Sequence, residues 1–61
     1  MVNQDFLNRL IGLMNQGFIK VADIKNVDYS TEVVNYYKTD VVNGKITADQ
    51  YLTITGIAYV A

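Results

Sequence analysis

The segment from Gly44 to Gly56 carries the start and stop signals of a complete short helix. Gly44 can end a preceding helix in the left-handed conformation that glycine adopts at little cost. Thr47 has a side-chain oxygen suited to the N-cap, and Gln50 lies three residues later, so the pair forms a T-x-x-Q capping box. Gly56 is the second stop signal. The pattern therefore predicts a helix over residues 48–55 between two glycine-terminated turns.

Length and composition restrict how such a chain is stabilised. A single small helical domain over residues 1–61 is expected, and a chain of 61 residues buries only about 60% of its unfolded surface. The sequence has no Cys and no His, which removes disulfides and the commonest transition-metal ligands. The prediction is that no metal and no cofactor is bound, and that self-association or a partner adds stability.

Charge argues against polyanionic partners. The net charge is -1, and the five cations are spread along the chain, so a nucleic-acid partner is not expected. No apolar run reaches the ~18 residues needed to span a bilayer, and the first residues lack the cationic start of a signal peptide. The expected location is the cytoplasm.

Residues 3–16 show the clearest amphipathic pattern. Their apolar side chains recur at helical spacing, with Asn3 as N-cap and Gly17 as stop signal. Gly12 weakens this helix and suggests the close approach of another backbone. The pattern predicts a first helix that ends at Gly17.

The middle of the chain has mixed periodicity. A short helix is predicted around residues 20–26 and a longer one over residues 30–43, capped by Ser30 or Asp28. Its β-branched and aromatic content would also suit a strand. Residues 57–61 are predicted to form an apolar tail against the core.

The prediction for the whole chain is an all-α fold, a small bundle of three to four short helices. The alternative places strands in the second half, because Leu52 and Ile54 alternate with Thr53 and Thr55. The capping box favours the helical alternative. The predicted core consists of Leu7, Leu10, Ile11, Met14, Val34, Tyr37, Val41, Ile46, Leu52 and Ile54.

Two glycine junctions have similar sequences. Residues 15–19 read Asn-Gln-Gly-Phe-Ile and residues 42–46 read Val-Asn-Gly-Lys-Ile, and Ala-Asp follows shortly after each. The preferred interpretation is that one device for ending a helix and starting the next is used twice; an internal duplication is the alternative.

The segment from Val41 to Gly56 resembles the XkdX family of short proteins encoded by phages and prophages of Gram-positive bacteria. The similarity is carried by Gly44, Ile46, Thr47, Asp49, Gln50, Tyr51, Ile54, Thr55, Gly56 and Tyr59. Members tend to be encoded beside tail and host-lysis proteins. The resemblance implies a role in tail or lysis assembly, in the bacterial host or in the virion, and it brings no catalytic or binding residues.

Groups suited to catalysis are few. Without His or Cys, Ser-His and Cys-His nucleophiles are impossible. Asp28 and Glu32 lie four residues apart and would share a helix face, but negative charge near a helix start is also explained by the helix dipole. The expectation is that the protein is not an enzyme.

Five tyrosines are the remaining candidates for function. Tyrosine is common at interfaces because it buries a large ring and keeps a polar tip. Tyr37 and Tyr51 are expected at the edge of the core with their hydroxyls at the surface, whereas Tyr36 is expected to be exposed. Tyr36 and Tyr59 are the predicted interface residues.

Three functional hypotheses follow. The leading one is a non-enzymatic phage accessory or structural protein that contacts phage tail or lysis proteins. The alternative is a small regulatory nucleic-acid-binding helical protein, which would show salt-dependent binding. The third is an enzyme, which would require a pair of buried carboxylates.

Overall fold

The computed structural model describes residues 2–60, which form a bundle of short helices and contain no strand. Helix α1 spans Gln4–Asn15, a 3-10 helix spans Val21–Asp23, α2 spans Val27–Val42 and α3 spans Ala48–Thr55. The predicted all-α fold is confirmed, and the alternative with strands in the second half is wrong. Helix α2 contacts α1, α3 and the 3-10 helix, so it is the centre of the bundle.

Helix α1 begins and ends where its sequence predicts. The Asn3 side-chain oxygen accepts a hydrogen bond from the Phe6 amide at 3.0 Å. At the other end Gly17 has φ +83°, and the Phe18 amide donates to the Leu13 carbonyl at 3.0 Å. This pattern is a Schellman motif, in which the left-handed residue lets the chain satisfy the last carbonyls of the helix.

The second junction repeats this geometry. Gly44 has φ +75°, and the Lys45 amide donates to the Asp40 carbonyl at 2.9 Å. Thr47 Oγ1 accepts from the Gln50 amide at 3.1 Å, while Gln50 Oε1 accepts from the Thr47 amide at 2.8 Å. The predicted capping box and the predicted helix over residues 48–55 are both confirmed.

The first junction uses only half of a capping box. The Asp23 carboxylate accepts from the Lys20 amide at 2.8 Å, as Gln50 does for Thr47. Lysine has no side-chain acceptor, so the reciprocal bond from the N-cap side chain is missing. The helix predicted around residues 20–26 is accordingly reduced to the single 3-10 turn Val21–Asp23.

Helix α2 begins earlier than predicted, at Val27 rather than at residue 30. The cap is Asn26, whose side-chain oxygen accepts from the Asp28 amide at 2.9 Å. Ser30, one of the predicted caps, lies inside the helix, and its hydroxyl donates to the Val27 carbonyl at 3.1 Å. Asp28, the other predicted cap, also lies inside the helix, in its first turn. Asn26 was not among the predicted caps, because asparagine, aspartate and serine are all good N-caps and the pattern alone does not choose between them.

The core gathers side chains from every helix. The predicted Leu7, Ile11, Met14 and Tyr37 are buried. Five other predicted core residues are partly buried and pack against them: Leu10, Val34, Val41, Ile46 and Ile54.

The structure differs from the predicted core at two pairs of adjacent residues. Leu52 is 47% exposed, and its neighbour Tyr51 is fully buried in its place. Val33 is fully buried, whereas the predicted Val34 is only partly so. In each pair a rotation of about 100° per residue separates adjacent positions, so the direction of the neighbouring helix decides which one enters the core.

The first junction is tied to the end of α3 by Lys20. Its Nζ donates to the Thr53 carbonyl. Its aliphatic carbons lie 3.7–3.8 Å from the position that a Cβ on Gly56 would occupy. A cation at a helix C-terminus also interacts favourably with the helix dipole. Lys20 therefore joins two helix ends that are far apart in sequence.

The tail covers the core only in part. The Tyr59 ring packs edge-on against the Tyr51 ring, with centroids 5.2 Å apart, whereas Val60 is 69% exposed. Residue 61 of the predicted tail lies outside the described residues. The expected packing against the core is thus provided by Tyr59.

We expect opposite effects from the same substitution at Gly12 and Gly44. A Cβ at either position would have no atom within 4 Å, so Gly12 does not mark a close backbone approach. Gly12→Ala should raise the free energy of unfolding by about 0.5–1 kcal/mol, because alanine is the better helix former. Gly44→Ala should lower it by about 1–2 kcal/mol, because φ is +75° there. Urea unfolding measures both, and shifts in the same direction would contradict this account.

Candidate functional site

The hydroxyls of the two buried tyrosines lie inside the protein, and the expectation that they reach the surface is wrong. The Tyr37 hydroxyl donates to Asn15 Oδ1 at 2.5 Å and lies 3.2 Å from the Ile11 carbonyl oxygen. Burial raises the pKa of Tyr37 to about 12, and the neighbouring Tyr36 and Asp40 add to the rise. Tyr37 thus links α2 to α1 rather than offering its polar tip to a partner.

The Tyr51 hydroxyl is buried and has no hydrogen-bond partner among residues 2–60. Burial, followed by the nearby Tyr59, raises the pKa of Tyr51. An unpaired buried hydroxyl costs about 1–3 kcal/mol. The large ring of Tyr51 fills the core. Its hydroxyl makes no hydrogen bond there, so a phenylalanine at this position would lose no interaction.

Replacing Tyr51 by phenylalanine tests this view of the hydroxyl. Tyr51→Phe should leave the free energy of unfolding unchanged or raise it by up to about 1 kcal/mol, because an unpaired polar atom is removed. Tyr59→Phe is the matched control at the adjoining ring and should have little effect. The urea midpoints report both, and a loss of more than about 1 kcal/mol for Tyr51→Phe would mean that the hydroxyl has a partner.

Tyr36, the first predicted interface residue, is exposed as expected. The residue is 44% exposed, and its ring packs edge-on against the Tyr37 ring, with centroids 5.1 Å apart. It lies in a surface depression of about 420 Å³ that α2 shares with Leu7 of α1 and with Lys45. Tyr36 therefore rests partly on the buried Tyr37 and leaves the rest of its side chain open to a partner.

Tyr59, the second predicted interface residue, is half-buried. With Val60 it forms one side of a depression of about 480 Å³, and α2 forms the other side. Asn35 and Thr39 line both this depression and the one that contains Tyr36. The structure therefore places the two predicted residues on adjoining parts of one surface, here called the α2 face: Asn35, Tyr36, Thr39, Val42, Tyr59 and Val60.

A second surface was not predicted from the sequence. It is a groove of about 370 Å³ between α1, the segment that contains the 3-10 helix and the start of α2. Its apolar members are here called the α1 groove: Phe6, Leu10, Leu13, Ile19, Ile24 and Tyr29. Asp23, Lys25 and Asn26 also line it. Most of its lining is apolar, while its rim is polar, which is the usual composition of a protein-binding surface.

The α1 groove exists because α1 carries two apolar stripes. Leu7, Ile11 and Met14 form the buried stripe. Phe6, Leu10 and Leu13 repeat the same i, i+4, i+7 spacing one position earlier, and Phe6 and Leu13 are 49% and 39% exposed. The sequence pattern merged both stripes into one face. The apolar face of α1 contains six residues, whereas a single core stripe needs only three of them. This excess width was the signal in the sequence that could have revealed the second surface.

One end of the α1 groove is fixed by contacts between two helix starts. The Phe6 and Tyr29 rings pack edge-on with centroids 5.0 Å apart. The Tyr29 hydroxyl accepts a hydrogen bond from the Asn3 amide at 2.8 Å. Tyr29 therefore has its polar tip satisfied inside the chain and presents its ring to the groove. The groove is accordingly held open by the fold itself.

The acidic side chains lie mostly at the surface. Asp28 and Glu32 both lie on α2 and are exposed to solvent. Of the six carboxylates only Asp40 is half-buried; the others are exposed. Within residues 2–60 no group of three potential ligands is placed to hold a metal ion. No helix in that range is both long and apolar enough to cross a bilayer.

Comparison with known proteins gives no further assignment. No protein-family model, no curated protein and no solved structure matches the chain.

Proposed function

We propose that this chain is a non-enzymatic phage accessory or structural protein that binds a phage tail or lysis protein through the α2 face. The observation that carries the proposal is that Tyr36 and Tyr59 lie in adjoining depressions of one surface. Asn35 and Thr39 line both depressions. Tyrosine rings are enriched in interface cores, where they provide large contact area at small entropic cost. The resemblance of residues 41–56 to the XkdX family supports the phage context.

The chemistry of the α2 face fits a protein partner. Val42 and Val60 are 75% and 69% exposed, so apolar surface lies beside the two tyrosines. Asn35, Lys38 and Thr39 supply hydrogen-bonding groups around it. One of the five cations, Lys20, is engaged at the end of α3, which weighs against a basic nucleic-acid surface.

The role is tested by following the chain through an induced lytic cycle. Mass spectrometry of purified particles and of lysing cells should find the chain in a fixed ratio to a tail protein, or co-purifying with a lysis protein. The substitution Tyr36→Ser should reduce this association, whereas the matched change Thr31→Ala, also on exposed α2 surface, should not. A chain that is free of phage-encoded proteins in both fractions would overturn the proposal.

A further inference from the structure

We propose that the α1 groove is covered by a second copy of this chain, which gives a two-fold symmetric homodimer distinct from the contact made by the α2 face. The starting observation is the exposure of Phe6 and Leu13 on an ordered helix in a chain that has few other means of stabilisation. Small domains without disulfides or metals commonly gain stability by association. The groove offers the apolar surface for it.

The groove and the element that fits it lie on the same molecule. Grooves of this kind accept an apolar helix ridge with anchors at i, i+4 and i+7. Phe6, Leu10 and Leu13 form such a ridge along one wall of the groove. A two-fold axis near Leu10 places two antiparallel α1 helices together, with Phe6 of one copy opposite Leu13 of the other. Each ridge then enters the groove of its neighbour, as an isologous interface requires.

The charges at the groove favour a second copy over a strongly charged partner. Asp23 and Lys25 lie two residues apart on its lining, and Asp5 and Arg9 border Phe6 in the adjoining depression. Acids and bases are thus equal in number. A polyanion or an anionic membrane would meet as much repulsion as attraction. A two-fold related copy can place Asp23 opposite Lys25 twice, because each such pair recurs across the axis.

The size of the molecule is compatible with this assembly. The accessible surface is 4199 Å², and a stable interface takes about 800 Å² from each partner, or about a fifth of that surface. The groove lies next in sequence to two further exposed apolar side chains. Phe18 precedes Ile19 and is 70% exposed, and Val27 follows Asn26 and is 71% exposed. Neither residue lines the groove itself, and a second copy that also covered them would bury more apolar surface than the groove alone offers.

Sedimentation equilibrium of the purified chain, from low micromolar to near-millimolar concentration, tests the homodimer. Wild type should approach dimer mass as the concentration rises. Leu13→Glu should raise the dissociation constant about thirtyfold or more, because a charge replaces one of the three apolar anchors and does so twice in the symmetric dimer. Val42→Glu is the control; it places the same charge on an exposed apolar residue of the α2 face, away from the groove, and should dimerise like wild type. Circular dichroism verifies that each variant is helical.

A milder variant keeps the test decisive if Leu13→Glu unfolds. Lys25→Glu changes only an exposed rim residue and should weaken the dimer about fivefold to tenfold, since like charges then face each other across the axis. A monomer at every concentration would overturn the proposal. So would dimerisation that Lys25→Glu leaves unchanged, or that Val42→Glu weakens as much as Leu13→Glu does. No phage protein is present in this experiment, so its result is independent of the proposed function.

Discussion

Tyr37→Ala is expected to remove about a third or more of the free energy of unfolding, while Tyr36→Ala removes about 1 kcal/mol. Tyr37 is 1% exposed, contacts the central core and bonds to α1 through its hydroxyl. Removing a buried aromatic ring costs about 3–5 kcal/mol. At about 0.05–0.15 kcal/mol per residue, a chain of 61 residues has only about 3–9 kcal/mol in total.

The adjacent position is the control for that loss. Tyr36 is 44% exposed, so its truncation should cost about 1 kcal/mol, mainly from the edge-on contact with Tyr37. Circular dichroism during urea unfolding measures both variants. Equal destabilisation by the two substitutions would show that α2 is rotated from the orientation described here.

Stability should fall steeply as the pH rises from about 10 to about 12. The pKa of Tyr37 is raised by burial to about 12 in the folded chain, from an ordinary value of 10.0. In this window the unfolded chain releases the proton that the folded chain retains, so the unfolded state binds fewer protons and unfolding is favoured. The full contribution is present below pH 10, and about 2–3 kcal/mol is lost by pH 12.

The variant Tyr37→Phe isolates this effect. It should be less stable than wild type near neutral pH, because the bond to Asn15 is lost, and it should lose less stability between pH 10 and pH 12. Tyr51, whose pKa is also raised by burial, contributes in the same direction in both proteins. Urea midpoints measured across the pH range supply the two slopes. Identical slopes would contradict the role given to Tyr37.

The helix ends could be predicted from sequence because their causes are local. Gly17, Gly44 and Gly56 all have positive φ, and the Thr47–Gln50 pair closes a box within four residues. Such signals depend on a few neighbouring residues and are nearly independent of the rest of the fold. At the start of α2 the same signals were misleading, because Ser30 and Asp28 were the predicted caps and the observed cap is the nearby Asn26.

The choice between adjacent apolar residues depends on tertiary packing and was less predictable. Val33 rather than Val34, and Tyr51 rather than Leu52, enter the core because the neighbouring helices lie on those sides. The α1 groove escaped prediction for the same reason, since only the position of the chain after Gly17 separates the two stripes of α1. Tyr36 and Tyr59 lie on one surface only because the tail packs beside α2, and no local sequence pattern specifies where the tail packs.

Residue-specific crosslinking in induced cells tests the central claim most directly. A lysine-reactive crosslinker applied during lysis reports on both surfaces, because Lys38 lies beside the α2 face, in the depression that contains Tyr59, and Lys25 lines the α1 groove. We predict crosslinks from Lys38 to a phage-encoded tail or lysis protein, lost in Tyr36→Ser. The absence of any crosslink to a phage-encoded protein, under conditions in which known tail contacts are captured, would contradict the account.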